Sequence, residues 1–265
     1  MSLLVDKSIV IIGGTTGLGL SAAKTFVDEG ASVVIVGRDG ANAAAATEAI
    51  GGKAVSFVGD AIESDTAPSA IGLSLSKFGR FDGLYHVAGG SGRSMGDGPL
   101  HEITDEGWQY TVDLNLTSLF KSNRAAVVQF LKQGSGGSIL NMGSVLGHRP
   151  SPKYFASHTY AATKSAINGF TRSIAAYYAK DNIRINVLAP ALVETPMSQR
   201  ASQDDTIQSF IATKQPLDGG RNGKASDLDA AAVYFMSDGS RFTTGQQLNV
   251  DGGWSVSEGQ WGRLQ

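Results

Sequence analysis

No cysteine occurs among the 265 residues of the chain. That excludes disulfides, thiolate metal sites and cysteine nucleophiles, and it leaves the redox compartment open. An excess of either charge is also lacking. The chain has 22 basic and 24 acidic residues, a net charge of −2, so no basic footprint for nucleic acid is present. Histidine is sparse. The four copies (His86, His101, His148, His158) have no metal-ligand spacing and no His-Glu-x-x-His run, so no metal is expected. No apolar run approaches the ~20 residues of a membrane span, and Met1–Lys7 has no signal-peptide core. The expectation is therefore a cytoplasmic protein with no membrane partner. On that reading, the glycosylation sequon Asn115-Leu116-Thr117 is coincidence.

What is present points to a folded enzyme-sized domain. Hydrophobic residues make up 42% and charged residues 17%, a globular rather than a disordered balance. Short β-branched runs predict strands over 8–12, 32–36, 54–58, 83–87, 137–142, 184–188 and 247–250. Helical periodicity fills 18–29, 64–78, 105–132 and 160–180, and the Ala-rich 41–46 reads as helix surface. Apolar strands separated by helix-length segments imply an α/β fold with a parallel sheet covered on both faces. No linker divides the chain, so residues 1–265 are expected to form a single doubly wound domain. Residues 194–225 are long and polar, with a helix expected over 205–214. Such segments are usually lids or binding loops, the alternative being a disordered surface excursion.

The run Ile9-Val10-Ile11-Ile12 leads straight into Gly13-Gly14-Thr15-Thr16-Gly17-Leu18-Gly19 and then a helix. A glycine-rich turn of this kind lets backbone N–H groups and a helix N-terminus meet a pyrophosphate. The spacing G-x-x-x-G-x-G departs from the dinucleotide fingerprint G-x-G-x-x-G. The second strand ends Val36-Gly37-Arg38-Asp39. Glycine stands where an acid would take a ribose 2′-hydroxyl, and Arg38 suits a 2′-phosphate. NADP(H) is therefore the expected cofactor, with NAD(H) as the alternative if Asp39 points inward.

Tyr160 and Lys164 are four residues apart on a predicted helix, so both face one way. A nearby ammonium favours the phenolate of a tyrosine that otherwise titrates near pH ~10. Ser144, just past the strand run 138–142, supplies a hydroxyl to hold a carbonyl oxygen. The trio suits interconversion of an alcohol and a ketone.

Taken in order, Gly13/Gly17/Gly19, Asp60, Ala88-Gly89, Asn115, Ser144, Tyr160/Lys164, Pro190 with Thr195, and Val250-Asp251-Gly252-Gly253 resemble the short-chain dehydrogenase/reductase family over nearly the whole chain. The resemblance implies a seven-stranded Rossmann-type sheet and nicotinamide-dependent hydride transfer. It also implies an Asn115–Ser144–Tyr160–Lys164 tetrad. Asn is intrinsically unfavourable in mid-helix, so Asn115 is expected to support a water relay to Lys164, the alternative being a satisfied polar group in the helix interior. Cofactor contacts are expected from Gly13, Thr15, Thr16, Gly17, Leu18, Gly19, Arg38, Asp60, Ala61, Ala88, Gly89, Tyr160, Lys164, Pro190, Val193 and Thr195. The family's dimers and tetramers imply a homodimer or homotetramer here, with Trp254 and Trp261 of the tail at the interface. The sequence departs from the family pattern in three places. Val87 replaces a bracing Asn, Ile12 stands where a Thr is common, and the interval from Ser144 to Tyr160 is a few residues longer than the family pattern.

The expected activity is an NADP(H)-dependent oxidoreductase acting on a small-molecule carbonyl or alcohol, resembling 3-oxoacyl-thioester reductases among others. The alternatives are an NAD-dependent sugar or polyol dehydrogenase and a catalytically silent nucleotide-binding sensor or scaffold of the same fold. Substrate choice is expected to lie in the loops 90–99, 148–158 and 194–225. Arg93 and Arg200 offer positive charge there, and His158 lies within reach.

Overall fold

In the first strand, β1 (Ser8–Ile12), alternate side chains part to opposite sides. Ile9 and Ile11 enter one apolar cluster, and Val10 and Ile12 enter a second. A strand buried on both faces needs helices on both faces, and the chain supplies them. On one side α1 (Gly17–Asp28) packs through Ala22, Ala23 and Phe26, beside α9 (Asp229–Met236) with Ala232 and Phe235. On the other, α3 (Thr66–Phe78) and α5 (Ser118–Gln133) contribute Ala67, Ile71, Ala126 and Phe130. Each such side chain, fully buried, contributes on the order of 1.5–3 kcal/mol for the larger aliphatics and aromatics.

The computed structural model describes residues 2–259. The remaining strands are β2 (Ser32–Gly37), β3 (Ala54–Val58), β4 (Gly83–His86), β5 (Gly137–Met142), β6 (Ile183–Pro190) and β7 (Gln247–Val250). They form one seven-stranded sheet in the order β3-β2-β1-β4-β5-β6-β7, every pair parallel. The seven-stranded, Rossmann-type expectation is met. The chain winds outward from β1 to β3, then returns to the far side of β1 with β4. Connections therefore leave the β1/β4 boundary in opposite directions and open a crevice at the strands' carboxyl ends.

Boundaries differ from expectation in physically readable ways. Strand β6 is longer at both ends than the predicted 184–188, because Ile183 pairs with Gly137 of β5 and Val187 to Pro190 pair with β7. The helix expected over 105–132 is interrupted. It runs as α4 (Asp105–Val112), then a single π turn at Asp113–Thr117, then α5. At the turn the Asn115 Nδ2 donates to the Thr111 carbonyl at 2.9 Å, drawing a side chain into the backbone ladder. Helix α2 (Gly40–Ile50) extends the Ala-rich run. Helix α6 (His158–Tyr178) begins two residues before Tyr160. Segment 194–225 holds α7 (Gln199–Ser202) and α8 (Asp205–Lys214), the latter at its expected bounds.

One expectation is corrected outright. Trp254 is 1% exposed, donates its indole N–H to the Arg149 carbonyl, and packs with Phe155 and Phe210. It belongs to the chain's own core beside the crevice and not to an interface, because an aromatic tail folded back buries more surface than one left free. Trp261 lies outside the described residues.

Candidate active site

A crevice of about 900 Å³ opens at the β1/β4 boundary. Into it come Gly13, Thr15, Thr16, Gly17 and Leu18 from the β1–α1 turn, Arg38 from the end of β2, and Asp60 and Ala61 after β3. Ala88 and Gly89 follow β4, Ser144 follows β5, Tyr160 and Lys164 come from α6, and Pro190, Val193 and Thr195 lie at and beyond the end of β6. Two expected residues do not line it. Gly19 packs the helix start on the turn, since a Cβ there would lie 2.1 Å from the Gly13 carbonyl oxygen. Asn115 stands behind the wall, fully buried.

The glycine turn fits an anionic group. Gly13 sits at φ +87°, and a Cβ on it would meet the Ala88 nitrogen at 2.6 Å, so the β1 and β4 turns close on each other only with glycine there. Helix α1 starts at Gly17 with Thr16 as N-cap, and Thr16 makes no side-chain cap. Its first N–H groups are left to a ligand in the crevice, where the helix dipole favours negative charge.

At the end of β2 the Arg38 guanidinium is largely exposed and lies 3.7 Å from the Asp60 carboxylate. Gly37 has no room for a side chain, because a Cβ would come within 2.3 Å of the Thr15 hydroxyl. The Asp39 carboxylate caps α2, accepting from the Asn42 N–H at 2.7 Å. Asp39 is thus engaged in holding its own helix.

Ser144, Tyr160 and Lys164 meet at the opposite end of the crevice. The Lys164 Nζ lies 5.5 Å from the Tyr160 ring centroid and donates to the Met142 carbonyl at 2.9 Å. Burial pulls the Lys164 ammonium down to about 8. Burial pushes the Tyr160 phenol above its ordinary value, and hydrogen bonding with Ser144 acts in the opposite direction. Asn115 braces the adjoining wall. Its Oδ1 accepts from the Gly90 N–H at 3.0 Å, and its Nδ2 donates to the Gly90 carbonyl at 2.8 Å. Gly89 is wedged between, with a Cβ position 2.7 Å from Asn115 Oδ1 and 3.4 Å from Lys164 Nζ. As placed, the Asn115 amide holds the Gly89-Gly90 turn and makes no direct hydrogen bond to Lys164. Its burial also leaves no place for a glycan on the sequon.

The structure assigns positions near the site to residues whose roles the sequence does not specify. The buried Asp97 carboxylate accepts from the backbone N–H groups of Thr159 and Tyr160, each at 3.0 Å, and so caps the helix that carries Tyr160. Phe155, Ser157, Met197 and Trp254 line the crevice beside Arg93 and Arg200. His158 is exposed and does not line it. His86, buried under the β4 turn, bonds Ser122 through Nδ1 at 2.8 Å. Asp97 carries no local signal as a cap, since its partners lie 62 and 63 residues away.

A family model described as enoyl-(acyl carrier protein) reductase matches residues 13–255. The chain is 32% identical over 257 residues to a 2,5-dichloro-2,5-cyclohexadiene-1,4-diol dehydrogenase of Sphingobium indicum, covering 97% of this chain and 100% of that one. It is 33% identical over 255 residues to a 3-oxoacyl-(acyl-carrier-protein) reductase of Chlamydia trachomatis, covering 95% and 98%. The solved structure of a short-chain type dehydrogenase/reductase from Mycobacterium ulcerans superposes with a TM-score of 0.88 at 29% identity, covering 96% of this chain and 91% of that one. The chain belongs to the short-chain dehydrogenase/reductase family. It is an oxidoreductase of hydroxyl and carbonyl groups, working with a nicotinamide coenzyme.

Proposed function

We propose that the protein is an NADP(H)-dependent oxidoreductase interconverting a ketone and a secondary alcohol, with Tyr160 as acid and base. One observation carries the reading: a single crevice holds the uncapped helix start at Gly17, the Arg38 guanidinium, and the Ser144–Tyr160–Lys164 cluster. The coenzyme, when bound, supplies or accepts the hydride. Ser144 donates a hydrogen bond to the substrate oxygen. Tyr160 gives that oxygen a proton in reduction and removes it in oxidation, assistance worth roughly 10²–10⁴ in rate. Hydrogen bonding with Ser144 favours the phenolate that oxidation needs, and the Lys164 ammonium, 5.5 Å from the ring centroid, is read as acting the same way. Asn115 keeps Gly89-Gly90 in place beside Lys164.

Arg38, with no side chain at Gly37 and with one oxygen of Asp39 capping α2, supports a 2′-phosphate and hence NADP(H). Exposed Phe120, Val128, Leu131 and Tyr177 on α5 and α6 support a homodimer or homotetramer. Segment 194–225 is read as the substrate loop, with Ala201, Ile207 and Ile211 packed under the site on Trp254.

The test is turnover of a panel of ketones and secondary alcohols with NADPH and NADH, read by nicotinamide absorbance. Tyr160→Phe is expected to lose at least about 10²-fold in kcat with nucleotide binding intact. Arg38→Ala is expected to raise the KM for NADPH and leave that for NADH little changed. Full activity in Tyr160→Phe would overturn the acid–base role. Equal efficiency with both coenzymes in wild type and Arg38→Ala would overturn the NADP(H) preference.

A further inference from the structure

The charged groups lining the crevice are distributed unevenly. Among the described residues, the nucleotide end mixes signs, with Arg38, Asp39 and Asp60, whereas the reacting end is lined by cations alone: Arg93, Arg200 and Lys164. Arg93 opens a short 3-10 turn in the loop after β4, and its Nη2 donates to the Ser157 hydroxyl at 3.0 Å, three residues before Tyr160. Arg200 comes from α7 on the opposite bank, with its Nη2 3.4 Å from the Tyr154 carbonyl. Two separate loops thus bring guanidinium groups to one mouth.

Neither arginine has a counter-ion within ion-pair distance among the described residues. Asp97 is the carboxylate that acts on Arg93, and it is already engaged by the N–H groups of Thr159 and Tyr160. Burial and the charge of Arg200 both push the Arg93 guanidinium below its ordinary pKa. Both arginines are exposed at the mouth of the crevice; two like charges facing one opening raise the local potential, and an anion placed between them relieves it. Guanidinium presents a planar fork of donors that matches carboxylate and phosphate oxygens.

We infer that Arg93 and Arg200 form an oxyanion subsite, and that the substrate is a ketone or secondary alcohol that also carries a carboxylate or phosphate. The anionic group seats between the two arginines while the reacting oxygen lies at Ser144 and Tyr160. This inference rests on the carbonyl–alcohol reading above and adds the substrate class to it.

The experiment uses matched pairs with NADPH: 3-oxobutanoate, 4-oxopentanoate and 5-oxohexanoate, each against its methyl ester, and dihydroxyacetone phosphate against dihydroxyacetone. The wild type is expected to favour the charged member by at least about tenfold in kcat/KM at one chain length, mainly through KM. The carboxylate and phosphate arms tell the two anions apart. In Arg200→Gln and Arg93→Gln the charged-to-neutral ratio is expected to fall toward one, in Arg93→Lys to fall part way, and in Arg200→Glu to invert. Because each ratio is internal to one variant, general damage to the fold cancels. Neutral members turned over as well as charged ones at every length would overturn the subsite and leave the reaction standing. So would a variant that raises the KM for NADPH with the ratio intact, since the arginines would then serve the coenzyme. No turnover of any pair would remove the reaction and the subsite together.

Discussion

The Asp97 carboxylate accepts a hydrogen bond from the backbone N–H of Tyr160 at 3.0 Å, across 63 residues of sequence. Its other oxygen takes the Thr159 N–H, so a buried charge caps α6 where the helix dipole is positive. Loop 90–98 and the proposed acid–base residue are therefore one mechanical unit.

Removing that carboxylate leaves two buried donors unpaired. Asp97→Ala is expected to lower stability by about 1–3 kcal/mol in urea titration and to reduce kcat more than coenzyme affinity. Asp97→Asn, which keeps one acceptor, is expected to recover part of both. Wild-type kcat in Asp97→Ala would show that α6 holds Tyr160 without the cap.

Lys164 links stability to alkaline pH. Its pKa is about 8 in the fold against an ordinary 10.5, so between these values the unfolded chain binds the extra proton. Stability then rises with pH through that window, and the cost of the buried charge is fully present below pH 8. Lys164→Met removes the linkage. The melting temperature of the variant minus that of wild type is expected to be more positive at pH 7 than at pH 10, and a difference constant with pH would refute the buried-charge account. Turnover is expected to be lost in the same variant.

His86 does the same on the acid side. Burial and the nearby Lys164 charge pull it from 6.5 to about 3. Between these values the unfolded chain again binds more protons, so stability is lost as pH falls below 6.5. His86→Asn is expected to be less stable at pH 7, through loss of the Ser122 bond, yet to show a flatter stability profile between pH 4 and 6.5. Chemical denaturation at several pH values measures both.

Gly37 and Thr15 are coupled by space. A Cβ at 37 would lie 2.3 Å from the Thr15 hydroxyl oxygen and 2.6 Å from its methyl. Gly37→Asp is therefore expected to destabilise the protein by about 1–3 kcal/mol from overpacking. Adding Thr15→Ala should restore most of this and shift preference toward NADH. Additive effects in the double-mutant cycle would mean that the two positions relax independently.

Much of the fold was legible because its signals are local. Short apolar runs, β-branched in β1, β2 and β6, marked all seven strands, and the glycine turn announced itself within seven residues. Tyr160 and Lys164 share a helical face whatever surrounds them. Helix α9 (DAAAVYFM) lacked a clear period, because it is apolar nearly all round. The π turn at Asn115 was illegible for another reason. It depends on an amide finding Gly90 and Thr111, and Gly90 is 25 residues away.

The sequence alone determined the doubly wound α/β architecture, the glycine turn, and the Tyr160–Lys164 pairing, since backbone sterics and the 3.6-residue helical period act between near neighbours. Only the tertiary structure decided that Asp97 caps the Tyr160 helix, that Trp254 folds inward, and that Arg93 and Arg200 face one mouth. Those arrangements join segments far apart in the chain, and they exist only once packing has fixed which surfaces meet.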